Sequence, residues 1–187
     1  MTGFHYTPFY CEENAWHLCQ HPRLANHARH IVFISNDQRC CPLWFQRAAP
    51  KPTEAVLWDY HVLVIAQHPD QPQWQVWDLD TLLAIPIAIH HYIEATFGPS
   101  HLVPDVYHPK FRVVEAERFV TCFSSDRSHM RDDDGTWLQP PPAWECILDS
   151  KGTMNLMQFV DMTQDFLGTV MDRGELLHHF GEARAGS

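Results

Sequence analysis

The chain has 187 residues, 45% hydrophobic and 19% charged, which is globular composition with length enough for one hydrophobic core, and this excludes a disordered segment. Its formal charge is −10 with no Lys/Arg cluster, so no nucleic-acid partner is expected. No apolar run approaches the ~18–20 residues of a bilayer span. The opening MTGFHYTPFYCEEN lacks a basic segment followed by an apolar one, so neither membrane attachment nor secretion is expected. The six cysteines at positions 11, 19, 40, 41, 122 and 146 are then expected to be reduced thiols of a cytoplasmic protein.

In chain order, Cys11–Cys19 predicts a helix, with acidic residues in its first turn and Pro22 limiting its far end. Ile31–Ile34 is a short apolar run that predicts a buried strand, with Pro42–Gln46 as its neighbour. Trp58–Ala66 is apolar on both faces and predicts a strand central in the sheet. Trp74–Asp80 predicts the next strand, across turn material at His68–Pro72, and Lys110–Val114 a third. Helices are predicted over Thr81–Thr96, Ala116–Phe123, Asn155–Met162 and Gly174–Phe180, the last stopped by Gly181. Gln139–Pro142 reads as a rigid surface loop rather than a boundary, so residues 1–187 form a single α+β domain.

The hairpin makes a geometric statement. With its turn centred between Pro69 and Asp70, His61 faces Asp78; centred one residue further on, it faces Asp80. In both registers the imidazole and both carboxylates share a face, within reach of a His–Asp hydrogen bond, whereas a half-step between them separates them. A carboxylate on one ring nitrogen fixes the tautomer and leaves the other nitrogen free to act as base. Cys11 at a helix start is a candidate nucleophile, because unsatisfied N–H groups and a nearby imidazolium favour thiolate. Glu12 and Glu13 oppose that if they point at the sulfur, so they are expected to face elsewhere. Cys19, Cys40, Cys41 and Cys122 remain rival nucleophiles. Trp58, Tyr60 and Trp77 read as core residues.

The string Trp58-Asp59-Tyr60-His61-Val62 resembles the signature of the protein N-terminal glutamine amidohydrolase family. Tyr10–Asn14, Val32–Asn36, Asp78–Thr81, Lys110–Val113, Ser125–Met130, the prolines at 140–142 and Met154–Leu156 resemble family segments in the same order. The resemblance runs from Phe9 to Gly181. It implies Cys11 as nucleophile, His61 as general base and Asp78, rather than Asp80, as the orienting carboxylate. It also implies an α/β/α sandwich with a mainly antiparallel sheet, like papain-like and transglutaminase-like cysteine enzymes. The implied reaction deamidates N-terminal glutamine through a thioester, without metal or cofactor, upstream of degradation signals that begin with glutamate. Peptides or proteins with a free N-terminal glutamine are the expected partners, and a cytoplasmic and nuclear monomer is the expected form. Glu12, Glu13 and Asp80 are candidates for holding the substrate amino group, and Asp126-Arg127-Ser128-His129 for shaping the pocket, against an internal Asp–Arg pair.

Two other readings use the same residues. One is a protease or transglutaminase acting on another acyl group. The other is a non-catalytic metal-binding or interaction module, suggested by fourteen histidines, including His17 and His21 at helical spacing around Cys19.

Overall fold

Strand β1 (Ala28–Ser35) explains the architecture, because its alternate side chains enter two separate cores. Ile31 and Phe33 join one apolar cluster, while Val32 and Ile34 join the other. The computed structural model describes residues 3–51 and 53–181, so Met1, Thr2, Pro52 and residues 182–187 of the expected domain lie outside the described residues. Further strands are β2 (Cys41–Leu43), β3 (Val56–Trp58), β4 (His61–Gln67), β5 (Gln75–Trp77), β6 (Ile87–Ala88), β7 (Lys110–Glu115) and β8 (Thr169–Met171). Six of them form one antiparallel sheet in the order β6-β5-β4-β1-β7-β8. The predicted apolar strand is interior to it, with Val62, Val64 and Ala66 in one core and Leu63 and Ile65 in the other.

Helices cover both faces. Helix α1 (Cys11–Cys19), α3 (Ala116–Cys122) and α4 (Leu156–Val160) contribute Leu18, Phe119 and Phe159 to the first core. Helices α2 (Ile89–Phe97) and α5 (Arg173–Phe180) contribute Tyr92, Ile93, Leu176 and Phe180 to the second. The result is a single α+β domain built on a mainly antiparallel sheet.

Three predicted elements are revised. Residues 42–46 do not lie beside β1: β2 pairs with β3 in a separate ribbon. Asn36 turns the chain away, its Oδ1 accepting from the N–H groups of Gln38 and Cys40 and its Nδ2 donating to the Cys40 carbonyl. The strand predicted from Trp58 is two strands, because Asp59 accepts from the Tyr60 N–H and breaks the ladder between them. The helix predicted over Thr81–Thr96 starts only at Ile89, since Pro86 cannot sit inside it and Thr81 and Leu82 are tied to the Gln46 and Phe45 segment.

Candidate active site

Helix α1 places Cys11 at its first position, at the end of the sheet where β4 begins. Asn14 fixes the approach: its side chain accepts from the Thr7 N–H and donates to the Thr7 carbonyl, both at 2.8 Å. Cys11 is 4% exposed. It lines a cavity of about 290 Å³ with Phe9, Trp58, Tyr60, His129, Leu138 and Met157 among the walls. Of the six thiols, Cys11 alone lines that cavity. Burial pushes the Cys19 and Cys41 thiols up to about 12.

His61 opens β4 and is fully buried. Its Nε2 lies 3.0 Å from Asp78 Oδ1, and its Nδ1 has no hydrogen-bond partner. The Trp58 ring stacks on the imidazole at 5.6 Å between centroids. Asp78 is saturated: Oδ1 also accepts from the Asp80 N–H at 2.9 Å, and Oδ2 accepts from the Tyr92 hydroxyl at 2.8 Å and from Gln46 Nε2 at 3.4 Å. Burial works against charge on both partners, yet the Asp78 carboxylate holds the imidazole above its ordinary range, and the imidazole holds Asp78 below its own.

The hairpin register is the later one. Val64 pairs with Trp77 and Ile65 with Val76, which centres the turn between Asp70 and Gln71 and sets Asp80 opposite His61. The bond nevertheless goes to Asp78, the diagonal neighbour on the same face, because the ladder ends at Trp77 and Asp78 folds inward over the Asp80 N–H. Asp80 takes the Tyr6 hydroxyl instead, at 2.7 Å. Burial and the nearby Asp78 charge raise its carboxyl.

The expectation that Glu12 faces away from the sulfur is overturned. Its Oε2 lies 3.7 Å from Cys11 Sγ, drawn there by the Tyr60 hydroxyl at 3.2 Å. Burial pushes the Cys11 thiol well above the ordinary range; Glu12 and Asp80 push further, and a backbone hydrogen bond from Val62 pulls back. This direction is opposite to the low value expected of a helix start.

Glu13 is not free to meet a substrate. It takes a two-pronged bond from Arg127, 2.7 Å on each oxygen, and a third from Trp144 Nε1 at 2.6 Å. That pair replaces the expected Asp126–Arg127 pair. Asp126 and Ser128 are exposed, joined by a 2.9 Å bond from the Ser128 N–H, and neither lines the cavity; the adjacent His129 and Met130 do. Tyr60 and Trp77 are core as expected, Tyr60 also lining the cavity, whereas Trp58 is a half-buried cavity wall. His129, named with its loop as a candidate for shaping the pocket, does line the cavity; sequence reasoning missed Tyr92 and Gln46 as partners of Asp78, whose only signal is polarity amid buried apolar residues.

His61, Asp78 and Asp80 offer ligand atoms within 4.8 Å of one another, the one grouping of three potential metal ligands among the described residues. Those side chains are already bonded to each other or to Tyr92 and Tyr6. His17, Cys19 and His21 do not converge: the His17 ring stacks near His5 and Trp144, Cys19 donates to the Trp16 carbonyl, and His21 Nδ1 accepts from the Arg23 N–H.

A buried thiol, a carboxylate-held imidazole and an adjoining cavity on an α+β domain are the equipment of a hydrolase acting on a carbonyl compound. Residues 6–180 match the profile of the N-terminal glutamine amidase family. The chain is 38% identical over 182 residues to the protein N-terminal glutamine amidohydrolase of Danio rerio, covering 94% of this chain and 89% of that one. It is 37% identical to the proteins of that name from Homo sapiens and Drosophila melanogaster, in each case over 94% of this chain and 87% of the relative. The chain belongs to the N-terminal glutamine amidase family, a family of hydrolases.

Proposed function

We propose that the chain hydrolyses the side-chain amide of N-terminal glutamine on peptides and proteins, giving glutamate and ammonia through a thioester on Cys11. One observation carries the reading: an imidazole held through Nε2 by a saturated Asp78 keeps Nδ1 unpartnered, and the same three carboxylates, Glu12, Asp78 and Asp80, act on that imidazole and on the cavity-lining thiol. The names of the relatives support the substrate. His61 Nδ1 takes the thiol proton, the sulfur attacks the carboxamide carbon, and the proton then leaves with the departing ammonia. Water, deprotonated by the same nitrogen, releases the side chain as glutamate and restores the thiol. The backbone N–H of Cys11, at the open end of α1, serves as an oxyanion donor. These steps need no cofactor.

The order of cysteine, histidine and aspartate along the chain, with helices on both sheet faces, agrees with kinship to papain-like and transglutaminase-like enzymes. We take the working form to be a monomer in the cytoplasm and nucleus, upstream of degradation signals that begin with glutamate.

Ammonia release tests the reading. Wild-type protein should act on Gln-first peptides, and Cys11→Ala should be silent while keeping its circular dichroism spectrum. Asn-first peptides should fall by about 100-fold or more, because one missing methylene moves the reacting carbon about an ångström or more from the sulfur. Equal rates on internal glutamine, or amine incorporation in place of hydrolysis, would replace the reading with a transglutaminase-like one.

A further inference from the structure

Glu12 has no exposed surface, yet its bonding is incomplete. Oε2 accepts from the Tyr60 hydroxyl and sits 3.7 Å from Cys11 Sγ, while Oε1 has no hydrogen-bond partner. His129 Nε2 stands 3.6 Å from Oε1, within ion-pair range when the imidazole is protonated but beyond a hydrogen bond, and the Tyr60 hydroxyl links the two residues at 3.3 Å from the same nitrogen. Cys11, Tyr60 and His129 all line the 290 Å³ cavity, so Glu12 forms a charged floor directly behind three of its walls. Buried carboxylates are ordinarily paired and fully hydrogen-bonded. An orphaned oxygen at this place points to a cationic group that arrives from the cavity.

The groups facing the sulfur are unbalanced in the same sense. From α1 comes Glu12, from just before β4 Tyr60, from its first position His61, from beyond β5 Asp78 and Asp80, and from the 128–130 turn His129. Three of these are carboxylates. Arg127, packed against α1, is committed to Glu13, and the Arg47 guanidinium acts on Asp80. Resting on the glutamine reading, we propose that Glu12 is the counter-charge for the substrate's α-ammonium, and that Cys11 yields its proton to His61 Nδ1 only once that ammonium is in place.

The dimensions agree. In a glutamine residue the α-nitrogen lies about 4–5 Å from the side-chain carboxamide carbon, from bond lengths of about 1.5 Å. With that carbon at Sγ, the ammonium falls within ion-pair reach of a carboxylate 3.7 Å from the sulfur. An acetylated or internal glutamine brings no cation and so leaves both the carboxylate unbalanced and the thiol protonated. One residue thereby accounts for refusal of blocked substrates at both binding and chemistry.

The test separates this from the glutamine reading. The rate at which iodoacetamide alkylates Cys11, followed by mass spectrometry, is measured from pH 6 to 10 with glycinamide, with acetylglycinamide and with neither. Glycinamide is small enough to leave the sulfur open. In wild type, glycinamide should speed alkylation near neutral pH by about 10- to 100-fold, the scale of one hydrogen bond to a charged group, and acetylglycinamide should not. Glu12→Gln, which keeps the Tyr60 contact, should alkylate faster than wild type unaided and ignore glycinamide; its preference for Gln-first over acetyl-Gln-first peptide should shrink by a similar factor. Glu12→Asp should retain part of the response. A wild-type protein indifferent to glycinamide, or a Glu12→Gln protein with wild-type alkylation and discrimination, overturns the proposal. Absence of wild-type ammonia release would instead overturn the glutamine reading, since the alkylation arms contain no glutamine.

Discussion

Glu12 and Glu13 are consecutive, equally buried and in the same helical turn, yet they occupy opposite electrostatic situations. The helix turns ~100° between them, so Glu13 looks across to Arg127 and Trp144 while Glu12 looks into the site. Glu13 has three donors, two in the planar fork geometry that makes such pairs strong. Arg127 continues outward to the Trp144 and Glu145 carbonyls, so the pair clamps two later segments onto the helix that carries Cys11. Glu12 has one good donor and an orphaned oxygen. The difference teaches that burial alone does not distinguish the two carboxylates; the completeness of their partner sets does.

Asp78 is the hardest case for that rule, being as saturated as Glu13 but assigned to the chemistry. In the proposed reaction its part is delegated: the bonds that complete it leave His61 Nδ1 without a partner. Asp78→Asn can keep its acceptor oxygen for His61 and the Asp80 N–H, but it opposes an amide donor to the Tyr92 hydroxyl and removes the anion that stabilises the imidazolium. The expected loss in kcat is about 10⁴-fold, the scale seen when such an orienting carboxylate becomes an amide, with near-UV circular dichroism unchanged. A variant within tenfold of wild type would remove Asp78 from the mechanism.

Glu13→Ala comes next in size. It leaves a buried guanidinium without its counter-ion, which costs about 3–5 kcal/mol of stability and should move the urea midpoint accordingly. Adding Arg127→Ala should cost much less than the two single changes summed, because the pair shares one interaction. Glu12→Gln should move the midpoint by under about 1 kcal/mol, within the range of a neutral exchange that keeps its hydrogen bond. The reverse pattern, with Glu12 stabilising and Glu13 dispensable, would break the comparison.

What the sequence made legible follows from how local each signal is. The two-faced apolar run ending in Ala66 marked an interior strand, and the helix start at Cys11 and the shared face of His61, Asp78 and Asp80 were readable from period and turn content. The register was not, because two turn centres satisfy the same pattern, and neither reveals that Asp78 reaches diagonally. The partners of the glutamates lie 48 residues from Glu12 and 114 and 131 from Glu13, so no spacing rule tells which will be clamped. Arg112 makes the same point inside a correctly predicted strand. It is 1% exposed and is satisfied by the carbonyls of Phe159, Asp161, Gln164 and Leu167, acceptors that every sequence possesses and none advertises.

His17 supplies the smallest effect and a control on the rule itself. It lies one turn beyond Glu13 on the same helix, edge-to-face with Trp144 at 4.8 Å and tilted against His5 at 4.6 Å, and its Nε2 is also an orphan. Here the missing partner marks no ligand site, because the ring packs as a neutral aromatic and lines no part of the Cys11 cavity. Burial, with the His5 and Arg127 charges, lowers its pKa to about 4. The unfolded chain binds that proton below ~6.5, so between ~6.5 and about 4 the unfolded state holds more protons and stability falls as pH falls; above ~6.5 the residue contributes nothing to the slope. One full proton would give ~1.4 kcal/mol per pH unit, an upper bound that screening at this half-buried site reduces. Urea midpoints measured at pH 5 and 7.5 should therefore converge in His17→Gln relative to wild type, with turnover of Gln-first peptides at pH 7.5 kept. If the acid slope is unchanged in His17→Gln, the clamp's acid sensitivity lies elsewhere. If turnover at pH 7.5 collapses while the fold is kept, His17 belongs with Glu12 rather than with Glu13.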